Sequence, residues 1–195
     1  MAGWTYIVGV LILAGVYAGS YTTPEGMQVT WNVTSPTVTF SLYMPSSLAA
    51  SYAWWGIGFK ETGGRQDMSD SLLWMVTKSG TFYDVWSTNN DDPPQTTKGA
   101  AQLLSHDSQN GYTSVITRNL AASGSSDIAL ASGGSYMLTY GYGPMSGSTL
   151  LMHPKDGAST ITLSNEYVAT EPTTSATPSV VLGLGSVALL SLALH

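Results

Sequence analysis

The chain has 195 residues, 43% hydrophobic and only 9% charged, with a formal net charge of −6 and no cysteine. Six Lys and Arg in all leave no clustered cations for a nucleic-acid backbone. The lack of cysteine removes disulfide frameworks, thiolate metal sites and thioether-linked haem from consideration.

In chain order, Trp4–Val16 is an apolar run too short to span a bilayer, and the small residues Ala18 and Ser20 follow it. Residues 1–20 are therefore expected to be a signal peptide, with Tyr21 as the new N-terminus and cleavage after Val16-Tyr17-Ala18 as the second option. Met27–Val33 predicts a first strand, which holds the sequon Asn32-Val33-Thr34 and makes Asn32 the expected glycosylation acceptor. Thr37–Met44 alternates, with Val38, Phe40, Leu42 and Met44 on one face. Tyr52–Lys60 and Ser71–Lys78 flank turn material at Glu61–Gln66, and Met68 stands where the chain re-enters the sheet. Ser79-Gly80 turns into Thr81–Trp86, and Asn89–Lys98 reads as an exposed loop. Gly111–Leu120, Ser135–Gly143, Thr149–His153 and Ser159–Ser164 bring the count to about nine strands. Short strands, Gly-rich turns and no amphipathic helix imply an all-β sandwich or barrel over residues 21–167.

Residues 168–179 form a Pro/Ser/Thr-rich stalk suited to O-glycans, and residues 180–195 are apolar without flanking cations. That pair reads as a signal exchanged for a glycosylphosphatidylinositol lipid, which would put the protein at the outer face of the plasma membrane. A tail anchor or a packed terminal helix is the competing reading of the same residues.

The side chains available for chemistry are few. Of three histidines, His195 lies in the tail, and His106, in Ser105-His106-Asp107-Ser108, reads as a solvated loop residue. His153 ends an apolar strand before a Pro-Lys-Asp-Gly turn, at the mouth of the expected sandwich. Gly-x-Ser-x-Gly, His-Glu-x-x-His and Walker patterns are absent, and Asp67, Asp70, Asp84 and Asp127 are scattered, so no catalytic residue is expected. Spacing alone makes Met68 a filler of a gap in the core.

The ordered set WWGIGF, Met68-Ser69-Asp70-Ser71-Leu72-Leu73, GYTSVITRNL, Asp127, GSYMLTYGYGP and LLMHPKDG resembles the DOMON domain over about residues 26–166. More narrowly it is similar to the cytochrome branch, which includes the haem domain of cellobiose dehydrogenases and the lipid-anchored haem proteins of plants. The resemblance implies an immunoglobulin-like β-sandwich holding one haem b, with Met68 and His153 as the iron ligands. Trp55, Met137 and Tyr140 would contact the cofactor, among walls that also include Trp54, Leu72, Trp74, Leu138 and Tyr142. Met75 and Met152 are alternative ligands, which alternation sets on the opposite face from Trp74 and His153. Arg118 and Lys155 are candidates for the haem propionates, with an Arg118–Asp127 pair as the competing use of the arginine. Met/His ligation fills both axial positions, which suits electron transfer rather than turnover. The implied partners are a redox protein or a small reductant such as ascorbate. Other members of the family imply the competing function, a haem-free module that binds carbohydrate.

Overall fold

The computed structural model describes residues 19–63, 69–87, 96–97 (backbone), 100–124 and 127–164. In chain order the strands are β1 (Gly19–Thr22), β2 (Gln28–Thr34), β3 (Thr37–Met44), β4 (Trp54–Glu61), β5 (Ser71–Thr77), β6 (Phe82–Ser87), β7 (Thr96–Thr97), β8 (Ala101–Asp107), β9 (Tyr112–Asn119), β10 (Ser135–Gly143), β11 (Met145–Ser146), β12 (Thr149–Leu150) and β13 (Lys155–Thr162). One turn of helix, α1 (Ser46–Ala49), links β3 to β4.

Alternation builds the first sheet. Val38, Phe40, Leu42 and Met44 on β3 are wholly buried, and Val29, Trp31 and Val33 on the paired β2 join them. That sheet has the order β1-β2-β3-β9-β8, and it packs on a second of order β13-β10-β4-β5-β6-β7. The core between them is centred on Phe40, Phe59 and Trp74, whose ring centroids lie 5.0–5.4 Å apart. Each such ring buried contributes about 1.5–3 kcal/mol by area, and each tilted or edge-on pair about 0.5–1.5 kcal/mol more. The all-β sandwich expected from the sequence is the fold observed.

Several boundaries differ, for local reasons. The segment holding His106 is strand β8, not a loop; it is an edge strand with a register shift between Leu103 and Ser105, which erases the alternation. β1 pairs Gly19 with Trp31 and Ser20 with Thr30, so cleavage after Ser20 would remove half of a paired strand, whereas cleavage after Ala18 keeps it whole. The expected strand Thr149–His153 shrinks to a two-residue bridge, Thr149–Leu150, paired with β11. β13 starts at Lys155 rather than Ser159, because the Lys-Asp-Gly expected to turn is paired with β10 instead. Part of the expected loop Asn89–Lys98 returns to the sheet as β7 on Val85 and Trp86. Met68, most of the expected signal peptide (residues 1–18) and the expected stalk and tail lie outside the described residues.

Two polar locks close the ends of the sandwich. Tyr142 donates its phenol to Glu25 (2.5 Å) and lies 3.2 Å from Thr23 Oγ1, tying the β1–β2 turn to β10. Burial, then the Glu25 hydrogen bond, push this phenol well above its ordinary value, so it stays a donor. At the other lock Arg118, on β9, holds Asp127 with two hydrogen bonds of 2.9 and 3.2 Å. It also donates to the carbonyls of Asn119, Ala121 and Ile128. The expected Arg118–Asp127 pair is thus present, and it occupies the arginine.

A candidate functional site on the outer face of the six-stranded sheet

Partners directly opposite in a ladder point to the same face. The register pairs Trp54 with Gly143, Gly56 with Gly141 and Gly58 with Thr139, which puts four glycines side by side on β4 and β10. On one flank Gly56 meets Met75 and Gly58 meets Leu73; on the other, Gly141 meets Asp156 and Thr139 meets Ala158. This lane faces away from the main core. Trp54, Leu73, Met75 and Val85 form a second apolar cluster along it, with Tyr83, Met145 and Leu150 packed against them.

The glycines are there for close approach. A Cβ on Gly56 would stand 2.6 Å from the Trp74 carbonyl oxygen and 2.7 Å from Met75 Cγ, while one on Gly58 would strike Leu73 and Thr139 Oγ1. The Trp74 carbonyl belongs to the ladder and cannot step aside, so Gly56→Ala is expected to cost about 1–3 kcal/mol as overpacking. Chemical denaturation of the purified variant measures this.

After β10 the chain folds back as the β11–β12 hairpin and crosses this face. Trp54 Nε1 donates to the Leu151 carbonyl (3.1 Å), which fixes both the indole and the crossing segment. His153 follows, edge-on to the Trp54 ring at 6.0 Å and 71°. Its Nδ1 is buried without a hydrogen bond, 3.7 Å from Asp156 Oδ1. At that distance the pair is a contact rather than a hydrogen bond. The residue is a quarter exposed, so the ring is held but reachable.

The structure brings some of the expected site residues to this face and sends others through the sheet. Met137 lies on it, with Trp54 and Met75. Trp55 and Tyr140 do not; both sit in the core between the sheets, as do Leu72, Trp74, Leu138 and Tyr142. The reason is alternation, which turns adjacent Trp54 and Trp55 to opposite faces. Trp55 stacks on His106 (6.2 Å) and meets Tyr112 (5.3 Å). Tyr140 lies between Tyr21 and Tyr142, and burial, then the charges around it, raise its phenol to about 12. Met75 is opposite Trp74, as expected, yet this places it on the same side as His153, because Trp74 is the residue in the core.

Arg118 belongs to the other sheet and is spent on Asp127, so it is no propionate partner; Lys155 is exposed two residues from His153. Met152 is 74% exposed beside His153. His106 is a satisfied structural histidine, with Nδ1 3.0 Å from Ser114 Oγ and Nε2 3.2 Å from the Lys78 carbonyl. The glycines that break the WWGIGF strand signal a close approach to its backbone, which the structure shows at Gly56 and Gly58; Asp156 and the facing Gly141 and Gly143 were missed.

The DOMON-domain family model matches residues 23–143, more than half of the chain, which therefore belongs to the DOMON family. Met68 falls inside the match; His153 and Asp156 lie beyond it. No curated protein matches the chain.

Proposed function

We propose that this DOMON domain is an extracellular electron carrier that holds one b-type haem through His153 and Met68. The observation that carries the reading is the His153 imidazole, held edge-on to Trp54 beside Asp156, a quarter exposed and with no hydrogen bond of its own. The buried Nδ1 is a polar atom that the fold itself leaves without a partner, as a histidine waiting on a ligated group would be.

Chain length admits the second ligand. The Phe59–Leu72 pair stands three residues, roughly 10 Å, from the Gly56–Gly141 pair beneath His153. Four residues of chain lead from Leu72 back to Met68 and can span at most ~14 Å.

When bound, haem supplies one-electron exchange at iron; the protein supplies the rest. His153 would give an imidazole nitrogen, and the Asp156 carboxylate, 3.7 Å from Nδ1, would place a negative charge beside that ring. Trp54 and the β11–β12 hairpin hold the ring and keep water from one side. A thioether at Met68 favours the reduced state more than a second imidazole would. Met68 and His153 as the two ligands would suit such a haem to exchanging electrons with a redox partner or a small reductant such as ascorbate rather than to turning over a substrate.

The protein reconstituted with haem is expected to show a low-spin b-type spectrum with sharp α and β bands on reduction. Asp156→Asn keeps that spectrum but raises the potential, because a neutral amide withdraws the charge that favours ferric iron. Potentiometric titration of both proteins is the measurement. A colourless protein after reconstitution overturns the reading and leaves carbohydrate binding as the function to test.

A further inference from the structure

The two sheets present unlike outer faces. Segment 144–153 crosses the one just described, whereas the outer face of the five-stranded sheet is lined mainly by half-buried residues, with Gln102 exposed at its edge. The register lays residues across that face in rows. Asn32 is opposite Thr39, Thr39 opposite Thr117, and Thr117 opposite Gln102, while the neighbouring row runs Thr30, Ser41, Val115. Neither row holds a charged group, in a protein of net charge −6. Thr39 and Thr117 hydrogen-bond to each other (3.3 Å), and Thr117 donates to the Val38 carbonyl (3.2 Å), which fixes their methyls and hydroxyls in place. A flat, uncharged sheet face of this kind is a surface on which copies of a protein associate unless something covers it.

Asn32 stands at one end of the first row and is the asparagine of the sequon Asn32-Val33-Thr34. It is half-buried and its amide makes no hydrogen bond in the structure. β2 is the second strand of five, so a group on Asn32 has β3, β9 and β8 all on one side of it. We propose that Asn32 carries an N-linked glycan whose first sugars lie along the Asn32–Thr39–Thr117–Gln102 row and cover this face. The row spans three strand spacings, roughly 14 Å, a length that a few sugar rings match. Apolar ring faces meet the methyls of the threonines and Val115, and sugar hydroxyls meet the threonine hydroxyls and the Gln102 amide. Covalent attachment at the row makes these weak contacts intramolecular, and hence effective.

The test compares the protein secreted from eukaryotic cells with T34A, which removes the sequon at an exposed strand end and leaves Asn32 in place. A second variant adds S146N to T34A, which creates the sequon Asn-Gly-Ser on the β11–β12 turn and moves a glycan to the opposite sheet. Mass spectrometry is expected to find one glycan at Asn32, none in T34A and one in the double variant. T34A is expected to melt about 2–4 °C lower than wild type and to self-associate in sedimentation, and the double variant to recover neither property. Wild type and T34A made in bacteria, without glycans, measure the substitution alone and are expected to melt together. An unmodified Asn32, equal melting and association of the secreted pair, or full recovery in the double variant would each overturn the proposal. It does not depend on haem, since every readout can be taken on the cofactor-free protein.

Discussion

His153→Ala is expected to give a folded, nearly colourless protein. The imidazole is partly exposed and makes no hydrogen bond; its contacts are the edge of Trp54 and the approach to Asp156. Trp54 keeps its own bond to the Leu151 carbonyl when the ring is gone. The cost to stability is therefore that of a surface substitution, within about 0.5 kcal/mol. The cost to haem retention is that of losing a metal ligand, so most of the Soret absorbance per protein should vanish while far-ultraviolet circular dichroism stays the same. Met68→His tests the other ligand differently: it retains haem but lowers the potential, since imidazole favours ferric iron more than thioether does. A His153→Ala protein that still binds haem stoichiometrically, with its low-spin spectrum, would remove His153 from the site.

Arg118→Ala is expected to cost the fold far more. The side chains of Arg118 and Asp127 are each 1% exposed, and the guanidinium serves three carbonyls besides the carboxylate. Removing it strands a buried charge and three acceptors at once, a loss of about 3–5 kcal/mol. For a chain of this size that is roughly 6–20 °C in the melting midpoint. The pair also sets a pH dependence. Burial alone would raise the Asp127 carboxyl, but the Ser123 backbone and hydroxyl bonds, with the Arg118 charge, outweigh it and hold the group below its ordinary value. The stabilisation is then complete above the unfolded carboxylate value of about 4 and is lost as pH falls through the lower folded value. Arg118→Ala should move the acid-unfolding transition to higher pH; urea titrations between pH 2 and 7 give both quantities.

Where one face of a strand is apolar and the other polar, the sequence was enough. Thr37–Met44 has the predicted bounds; Ser135–Gly143 has them too, although it is buried on both faces, because glycines bracket its run. Residues Ala101–Asp107 hid their strand because an edge with a register shift needs no alternation. Lys155-Asp156-Gly157 looked like a turn, but Gly157 serves a different end: a Cβ there would strike the Tyr140 phenol. The candidate site was half legible. His153 stood out by its place after an apolar run, whereas its face could not be read. Trp54-Trp55 says that one indole points inward without saying which, and only the second sheet decides. Asp156 escaped notice because the carboxylate comes to His153 through the β10–β13 register, which local sequence does not carry.

The glycine lane lies outside the packed centre. Phe40, Phe59 and Trp74 pack directly on one another, so the core is completed by the chain's own side chains and the haem proposed above would be added to a folded sandwich. Filling it from outside would add stability only by mass action, about 4 kcal/mol at a thousandfold excess over the dissociation constant. An unfilled chain would therefore pass any cellular inspection that senses exposed core. Supply of cofactor at the destination, rather than folding, would then govern how much of the population is active.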